Sequence, residues 1–382
     1  MQINELLKET MDAQASDLHL TVGRKPMLRV WGKLQPIEQY EVLTPEDTAQ
    51  LAYSMLNAFQ KQKFEKTWEL DLSYGVPGLG RFRVNLYRQR GATGIAMRSI
   101  SSTIPSIEDL NLPQILRDLT RKPRGLVLVT GPTGHGKSTS LAAMIDTINA
   151  DRACHIVTVE DPIEYLYEHK KSIINQRELG FDTQSFPNAL RGVLREDPNV
   201  VMVGEMRDLE TISAALTIAE TGHLVFATLH TSNAAQSIDR IVDVFPPYQQ
   251  QQIRIQLAQV VEAVVSMQLL TNQKYLARAG AGRAVGQQRR AGTTTISRTF
   301  PTLEEIGRVP AVEIMIATPA IRNLIREAKT HQIESTLQTG AQYGMQTMDM
   351  ALSDLVRRGM VSVEDALSRA IHPEELRKLI RE

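Results

Sequence analysis

Residues 125–139 read GLVLVTGPTGHGKST. A strand-length apolar run, Gly125 to Thr130, gives way to a glycine-rich turn, and the segment KSTSLAAMIDTIN that follows has helical spacing. The turn from Gly131 to Ser138 satisfies G-x-x-x-x-G-K-[ST], in the strand–turn–helix context that makes the pattern a site. Its chemistry needs these residue types. Gly131, Gly134 and Gly136 let the backbone curl so that successive N–H groups face phosphate oxygens, and Thr133 lies inside the curl. The helix N-terminus adds favourable potential for an anion. Lys137 can bridge the β- and γ-phosphates, while the Ser138 hydroxyl can ligate Mg²⁺. The bland alternative is a glycine-rich turn that happens to carry a lysine. Strand and helix on either side favour a nucleoside triphosphate with Mg²⁺ as the expected ligand.

Working outward, the runs HIVTVE, VVMVGE and HLVFATLH alternate with helix-length segments. Near-continuous β-branched runs fit strands buried on both faces, so the fold class is α/β with a parallel sheet. In such sheets ligands gather beyond the carboxyl ends of the strands. Two acidic clusters fall there. One is Glu160-Asp161-Pro162-Ile163-Glu164, where the proline stops the strand. The other is Gly204-Glu205, followed by Met206, Arg207 and Asp208. A triphosphatase needs a carboxylate near Mg²⁺ and a group that orients or deprotonates water. Glu205 is read as the metal- or water-organising residue and Glu164 as the general base. Glu160 and Asp161 can also be read as solvated loop charges.

His223 and His230 bracket the run LVFATL. Seven steps along a strand separate them by roughly 23 Å, too far to share one zinc ion. His230 falls at the carboxyl end with the phosphate loop, where it could sense the γ-phosphate or touch a neighbouring subunit. His223 falls at the other end, beside the turn Glu220-Thr221-Gly222.

The first 100 residues have a different grammar, that of a small α+β unit. An amphipathic start (Ile3, Leu6, Leu7, Met11) leads into LHLTV and MLRVWGKL, then a helical stretch from about Pro45 to Phe64 with Thr44 as N-cap. A hairpin follows: WELDLSYG, the turn GVPGLG, then RFRVNLYRQ. Pro105 and Pro113 bracket polar residues, and 101–113 is read as an interdomain linker. The phosphate-loop core is placed at 114–270 and a strand with helices at 311–382. The segment 271–310 is rich in Gly, Thr, Arg and Gln, with no acidic residue between Glu262 and Glu304. It is read as a basic insertion or disordered arm, whose Lys274, Arg278, Arg283, Arg289, Arg290 and Arg298 could meet anionic lipid or an acidic partner, or simply be solvated.

The chain has 382 residues, 42% hydrophobic and 5% aromatic, with 43 Lys+Arg against 43 Asp+Glu. Zero net charge argues against a polybasic nucleic-acid-coating protein. Cys154 is the only cysteine, which excludes an intrachain disulfide and a multi-cysteine zinc site. No apolar run approaches the roughly 20 residues that span a bilayer, and MQINELLKET lacks a signal-peptide pattern. The expectation is a cytosolic protein, brought to a membrane only by a partner.

Taken together, GPTGHGKST, VEDPIEYLY, LREDPNVVMVGEMRD, AETGHLVFATLHT and AIRNLIRE resemble the Walker A, Asp box, Walker B, His box and C-terminal signature of the type IV pilus retraction ATPases, a branch of the secretion-superfamily ATPases. The resemblance covers essentially the whole chain except about 271–310. It implies a homohexameric motor at the cytoplasmic face of the inner membrane that hydrolyses ATP to disassemble pilin, working on an inner-membrane pilus platform protein. It implies a PAS-like domain followed by a RecA-like domain, with ATP between them. By position it gives Lys137, Ser138 and Thr139 to phosphate and Mg²⁺, Glu164 and Glu205 to catalysis, and Thr221 and His230 to subunit packing. It also makes Arg81, Arg83 and Arg88 phosphate-reaching arginines, and the spacing of two puts Arg81 and Arg83 on one strand face. Ile321, Leu324 and Ile325 form an apolar stripe in AIRNLIRE that any packed amphipathic helix would show.

Two features depart from the pattern: His135 stands where the family usually has serine, and the 271–310 segment replaces a short connection. Three other functions compete. An assembly or type II secretion ATPase typically carries a further N-terminal domain and a tetracysteine zinc module, against a domain beginning at residue 1 and the lone Cys154. An accessory retraction ATPase is harder to separate. A nucleic-acid translocase is disfavoured by neutral charge and few aromatics.

Overall fold

The computed structural model describes residues 1–13, 15–30, 33–100, 103–277 and 307–381. The chain forms two compact units: residues 1–103 with 162–166, and residues 104–161 with 167–382.

The first unit is a six-stranded antiparallel sheet, β1 (Asp17–Leu20), β2 (Met27–Val30), β3 (Lys33–Pro36), β4 (Glu69–Val76), β5 (Gly80–Gln89) and β6 (Ala92–Ile100), in the order β3-β2-β1-β6-β5-β4. Period-two alternation puts Phe82, Val84 and Leu86 of β5 into the core. They meet Ile3, Leu6 and Leu7 of α1 (Ile3–Asp12), Leu51 and Ala52 of α2 (Pro45–Ser54) and Phe64 of α3 (Ala58–Thr67). Where the sequence suggests one helix from Pro45 to Phe64, there are two. Thr44 caps α2 by accepting from the Asp47 N–H, and Asn57 starts a fresh helix by accepting from the Gln60 N–H. A side chain that satisfies new N-terminal amides resets the helix.

The second unit carries a seven-stranded sheet: β7 (Gly125–Thr130), β8 (His155–Glu160), β9 (Ile173–Glu178), β10 (Val200–Val203), β11 (Leu224–Leu229), β12 (Val261–Thr271) and β13 (Arg308–Ile316). The order is β13-β12-β7-β11-β10-β8-β9, parallel throughout except that β13 runs antiparallel to β12. Alternation explains why β7 reads as unbroken apolar residues. Leu126 and Leu128 pack on one face under helices α6 (Phe186–Val193), α7 (Leu209–Glu220), α8 (Ala234–Asp243) and α9 (Pro247–Val260). Val127 and Val129 pack on the other, under α4 (Ile115–Thr120) and α5 (Lys137–Asp151). The stretch 101–113, read as a linker, sends Ile107 and Leu112 into this second core.

Beyond β13, helix α10 (Pro319–Arg326) buries Ile321 and Ile325. Arg322, instead of facing solvent, donates to the Ala258 and Gln259 carbonyls at 2.7 and 2.9 Å and to Glu262 at 2.7 Å. It thereby caps α9, whose last residue abuts β12 without a glycine or proline between them. Helices α11 (Ile333–Thr339), α12 (Met348–Arg357), α13 (Val363–Arg369) and α14 (Pro373–Arg381) complete the unit, and α12 to α14 share a smaller core with Leu270 and Val309. Of the segment 271–310, Arg278, Arg283, Arg289, Arg290 and Arg298 lie outside the described residues. No helix among the described residues is long and apolar enough to cross a membrane.

Candidate active site

Strand β7 ends at Thr130, whose hydroxyl donates to Ser266 at 2.9 Å, and the chain then curls through 131–136 into α5. Three positive-φ glycines make the curl: Gly131 at 140°, Gly134 at 79° and Gly136 at 89°. At Gly131 a Cβ would also sit 2.4 Å from the Met267 carbonyl oxygen, so no larger residue fits. Lys137 is nearly buried and donates to the Gly131 and Pro132 carbonyls at 2.7 and 3.0 Å, closing the loop on itself. Ser138 and Thr139 open α5, whose first turn holds no acidic residue. The result is a positive, amide-lined cradle of the kind phosphate requires.

Sheet order builds the other half. Strands β10 and β11 are parallel neighbours, with Val203 opposite Ala227, so Glu205 and His230 emerge side by side past their carboxyl ends. His230 Nε2 lies 3.1 Å from Glu205 Oε1, and Arg207 holds the other carboxylate oxygen at 2.7 Å. The remaining ring nitrogen, Nδ1, faces Thr133 Oγ1 at 3.4 Å and the Lys137 ammonium at 3.5 Å. Only one neutral tautomer satisfies all of these: Nε2–H donates to Glu205 and Nδ1 accepts from the phosphate loop. His230 therefore bridges loop and carboxylate. Burial raises the Glu205 pKa, but the Arg207 hydrogen bond and charge, together with the His230 hydrogen bond, outweigh it, leaving the carboxyl below its usual range.

Glycine at 204 relieves tight packing, because a Cβ there would lie 3.2 Å from the Glu160 Cα and the Val159 oxygen. Glu160 itself is no solvated loop charge. It ends β8 almost fully buried, accepting from Thr158 at 2.7 Å and Gln176 at 3.2 Å. A β-branched threonine two residues before a glutamate at a strand end was the available signal, since both point to one face. The Thr228 hydroxyl, which donates to the Gly204 carbonyl, left no such trace.

Glu164 falls in the segment 162–166 of the first unit, not in the second unit with Glu205. The three arginines also belong to the first unit. Arg81 and Arg83 alternate with buried Phe82 and Val84 and so share a face, with Arg83 4.0 Å from Asp71. Arg88 has the opposite parity: it stacks over the Phe64 ring at 5.5 Å and reaches the Gly91 carbonyl at 3.4 Å. His223 bonds the Ile218 carbonyl at 3.0 Å and Thr221 at 3.1 Å, tying down the turn before β11. No group of three or more His, Cys, Asp or Glu side chains among the described residues is arranged to hold a metal ion by itself.

The family model for type II/IV secretion system protein matches residues 1–368. The chain belongs to this family. Among relatives of this secretion-system chain, the type IV pilus retractation ATPase PilT of Pseudomonas aeruginosa is 46% identical over 379 residues, 98% of this chain and 99% of that one. The type IV pilus ATPase PilU of the same organism is 37% identical over 381 residues, covering 92% of its own length. A crystal structure of the pilus retraction motor PilT with bound ADP superposes with a TM-score of 0.85, at 45% identity and over 99% of both chains. The α/β class agrees with that match.

Proposed function

We propose that this chain is an ATPase motor that powers type IV pilus retraction, working as a homohexamer at the cytoplasmic face of the inner membrane on a pilus platform protein. The observation that carries the reading is the bridge at His230, which puts a catalytic-type carboxylate in hydrogen-bonded register with the phosphate loop. Higher identity to the retractation ATPase PilT than to the pilus ATPase PilU favours the retraction reading.

In this mechanism the loop amides and Lys137 hold the triphosphate, and Lys137 exchanges its loop carbonyls for phosphate oxygens. Thr139 supports the phosphate from the first turn of α5. Ser138 and Glu205 are the residues that would hold Mg²⁺, which supplies neutralising charge to the phosphate oxygens. Glu205, kept ionised by Arg207 and His230, orients water, and His230 relays phosphate occupancy to it. Glu164 acts as general base. Arg81, Arg83 and Arg88 serve as phosphate-reaching arginines within the ring, Arg81 and Arg83 from one strand face. No nucleic acid is needed.

Lys137→Ala should weaken binding of a fluorescent ATP analogue by about 100-fold or more, because the loop loses its only charge on the phosphates. Binding at wild-type strength would overturn the site. Deleting the gene should leave surface pili that no longer retract; a bald cell would mean assembly instead.

A further inference from the structure

The residue at which the phosphate loop departs from its family pattern is also the one that ties it to the neighbouring strand. Strand β12 runs beside β7 only as far as Ser266, which pairs with Thr130, the last residue of β7. Leu269 lies three residues further on, where β7 has ended and can no longer accept an amide. Its partner on the other side is Pro310 of β13. The Leu269 N–H is instead taken by the Nδ1 of His135, at 3.1 Å. An imidazole nitrogen thus stands in for a missing ladder carbonyl, and a half-buried amide is satisfied. The strand lines the loop on either side of this bond. Met267 closes on Gly131, and the Leu269 side chain would lie 3.4 Å from a Cβ on Gly136. A second tie comes from β13, where Arg308 donates to the Gly134 carbonyl at 3.3 Å.

We infer that His135 is a positioning residue of the phosphate loop: by accepting the Leu269 N–H it seats the loop against β12 and sets the affinity for the nucleotide's phosphates. This rests on the reading of residues 131–138 as the phosphate site. The bond requires an unprotonated Nδ1, because a protonated ring would turn a second donor toward the Leu269 donor. The surroundings favour the neutral ring. Burial, then the charges of Arg369 on α13, Lys137 in the loop and Arg308 on β13, hold His135 below its ordinary 6.5.

The test is a fluorescence titration of the full chain with mant-ADP between about pH 5 and 8, for wild type, His135→Ala, His135→Asn and Lys137→Ala. Asn places its Oδ1 near the position of the imidazole Nδ1 but does not titrate. His135→Ala should raise Kd about five- to tenfold, the loss of one hydrogen bond and some loop order. His135→Asn should recover most of that. As pH drops below 6.5 wild-type affinity should fall by up to one proton more steeply than that of His135→Asn, which shares only the protonation of the nucleotide's own phosphate. With ATP as substrate the Ala variant should raise KM while kcat stays within about twofold, as uniform binding is lost. The inference is overturned if Ala binds as tightly as wild type, if Asn binds as weakly as Ala, or if the acid limb in Asn is as steep as in wild type. Should His135→Ala fail to fold, the acid limb in His135→Asn still decides. Lys137→Ala separates the two readings: unaltered binding there removes the phosphate site itself, whereas lost binding with a neutral His135→Ala removes only the tie.

Discussion

Glu205 follows a strand of the same seven-stranded sheet that contains Glu313, yet the fold drives their carboxyls in opposite directions. Glu205 lies just past β10, about one-fifth exposed, with Arg207 on one oxygen and His230 on the other. Its pKa falls. Glu313 lies within β13, 2% exposed, accepting the Ala234 N–H at the start of α8 at 2.7 Å and the Met348 N–H at the start of α12. Its pKa is raised to about 7, first by burial and further by Glu334 and Asp349. Two backbone amides satisfy the oxygens of Glu313 but supply no whole charge. Hydrogen bonding alone does not keep a buried carboxylate ionised; a facing cation at an open strand end does. One glutamate is kept charged for chemistry, and the other clamps two helix starts to the sheet.

The largest expected break of this comparison is Glu205→Gln, which keeps the size and removes the charge. Turnover should fall on the order of 100-fold or more while nucleotide affinity stays within a few-fold, since the loop is intact. Single-turnover hydrolysis beside equilibrium binding separates the two. Near-normal hydrolysis would make Glu205 a structural carboxylate like Glu313.

Glu313→Gln should act on stability in the neutral range. A carboxyl with its folded pKa raised from 4.5 to about 7 binds more protons folded than unfolded between those values. Its penalty is absent at low pH and grows as pH rises, reaching roughly 3 kcal/mol above pH 7. Glu205, with its pKa depressed, does the reverse, and its contribution is lost only as pH falls below the ordinary 4.5. Denaturant midpoints measured from about pH 5 to 8 should therefore decline in the wild type and flatten in Glu313→Gln. An equally steep decline in the variant would show that another group carries the titration.

The two glutamates also differ in how far the sequence discloses them. Glu205 ends an apolar run that can only be a strand, two motifs from a phosphate loop, and its strand-end position follows from counting. What counting cannot supply is the neighbour. His230 reaches Glu205 because β11 lies between β7 and β10, an order that comes from crossovers. Glu313 is hidden because the amides it accepts, those of Ala234 and Met348, belong to elements far from it in sequence. Strands β7, β8, β10 and β11 are buried on both faces and read as apolar blocks, but β12 follows α9 with no breaking residue. The cap that ends α9 comes from Arg322, some 60 positions away in sequence. Strand β9 is an edge strand with Asn175 and Gln176 in its middle, and no period betrays it. Local chemistry, such as the glycines of the loop or Thr44 as a cap, was legible; residues recruited from distant elements were not.

Arg207→Ala offers the finest test of what distinguishes Glu205. The guanidinium is largely exposed, 73% by side chain, so water and salt already screen its charge. Removing it leaves His230 on the other oxygen, with the tautomer that loop and carboxylate together impose. Turnover should therefore fall only about two- to fivefold, and the deficit should shrink as ionic strength rises and screening weakens the wild-type pair. A loss as large as that of Glu205→Gln would mean that Arg207 touches the reacting phosphate rather than merely holding the carboxylate. If the loss is instead small and insensitive to salt, its hydrogen bond matters and its charge does not, and the contrast with the amide-held Glu313 would rest on His230 and exposure alone.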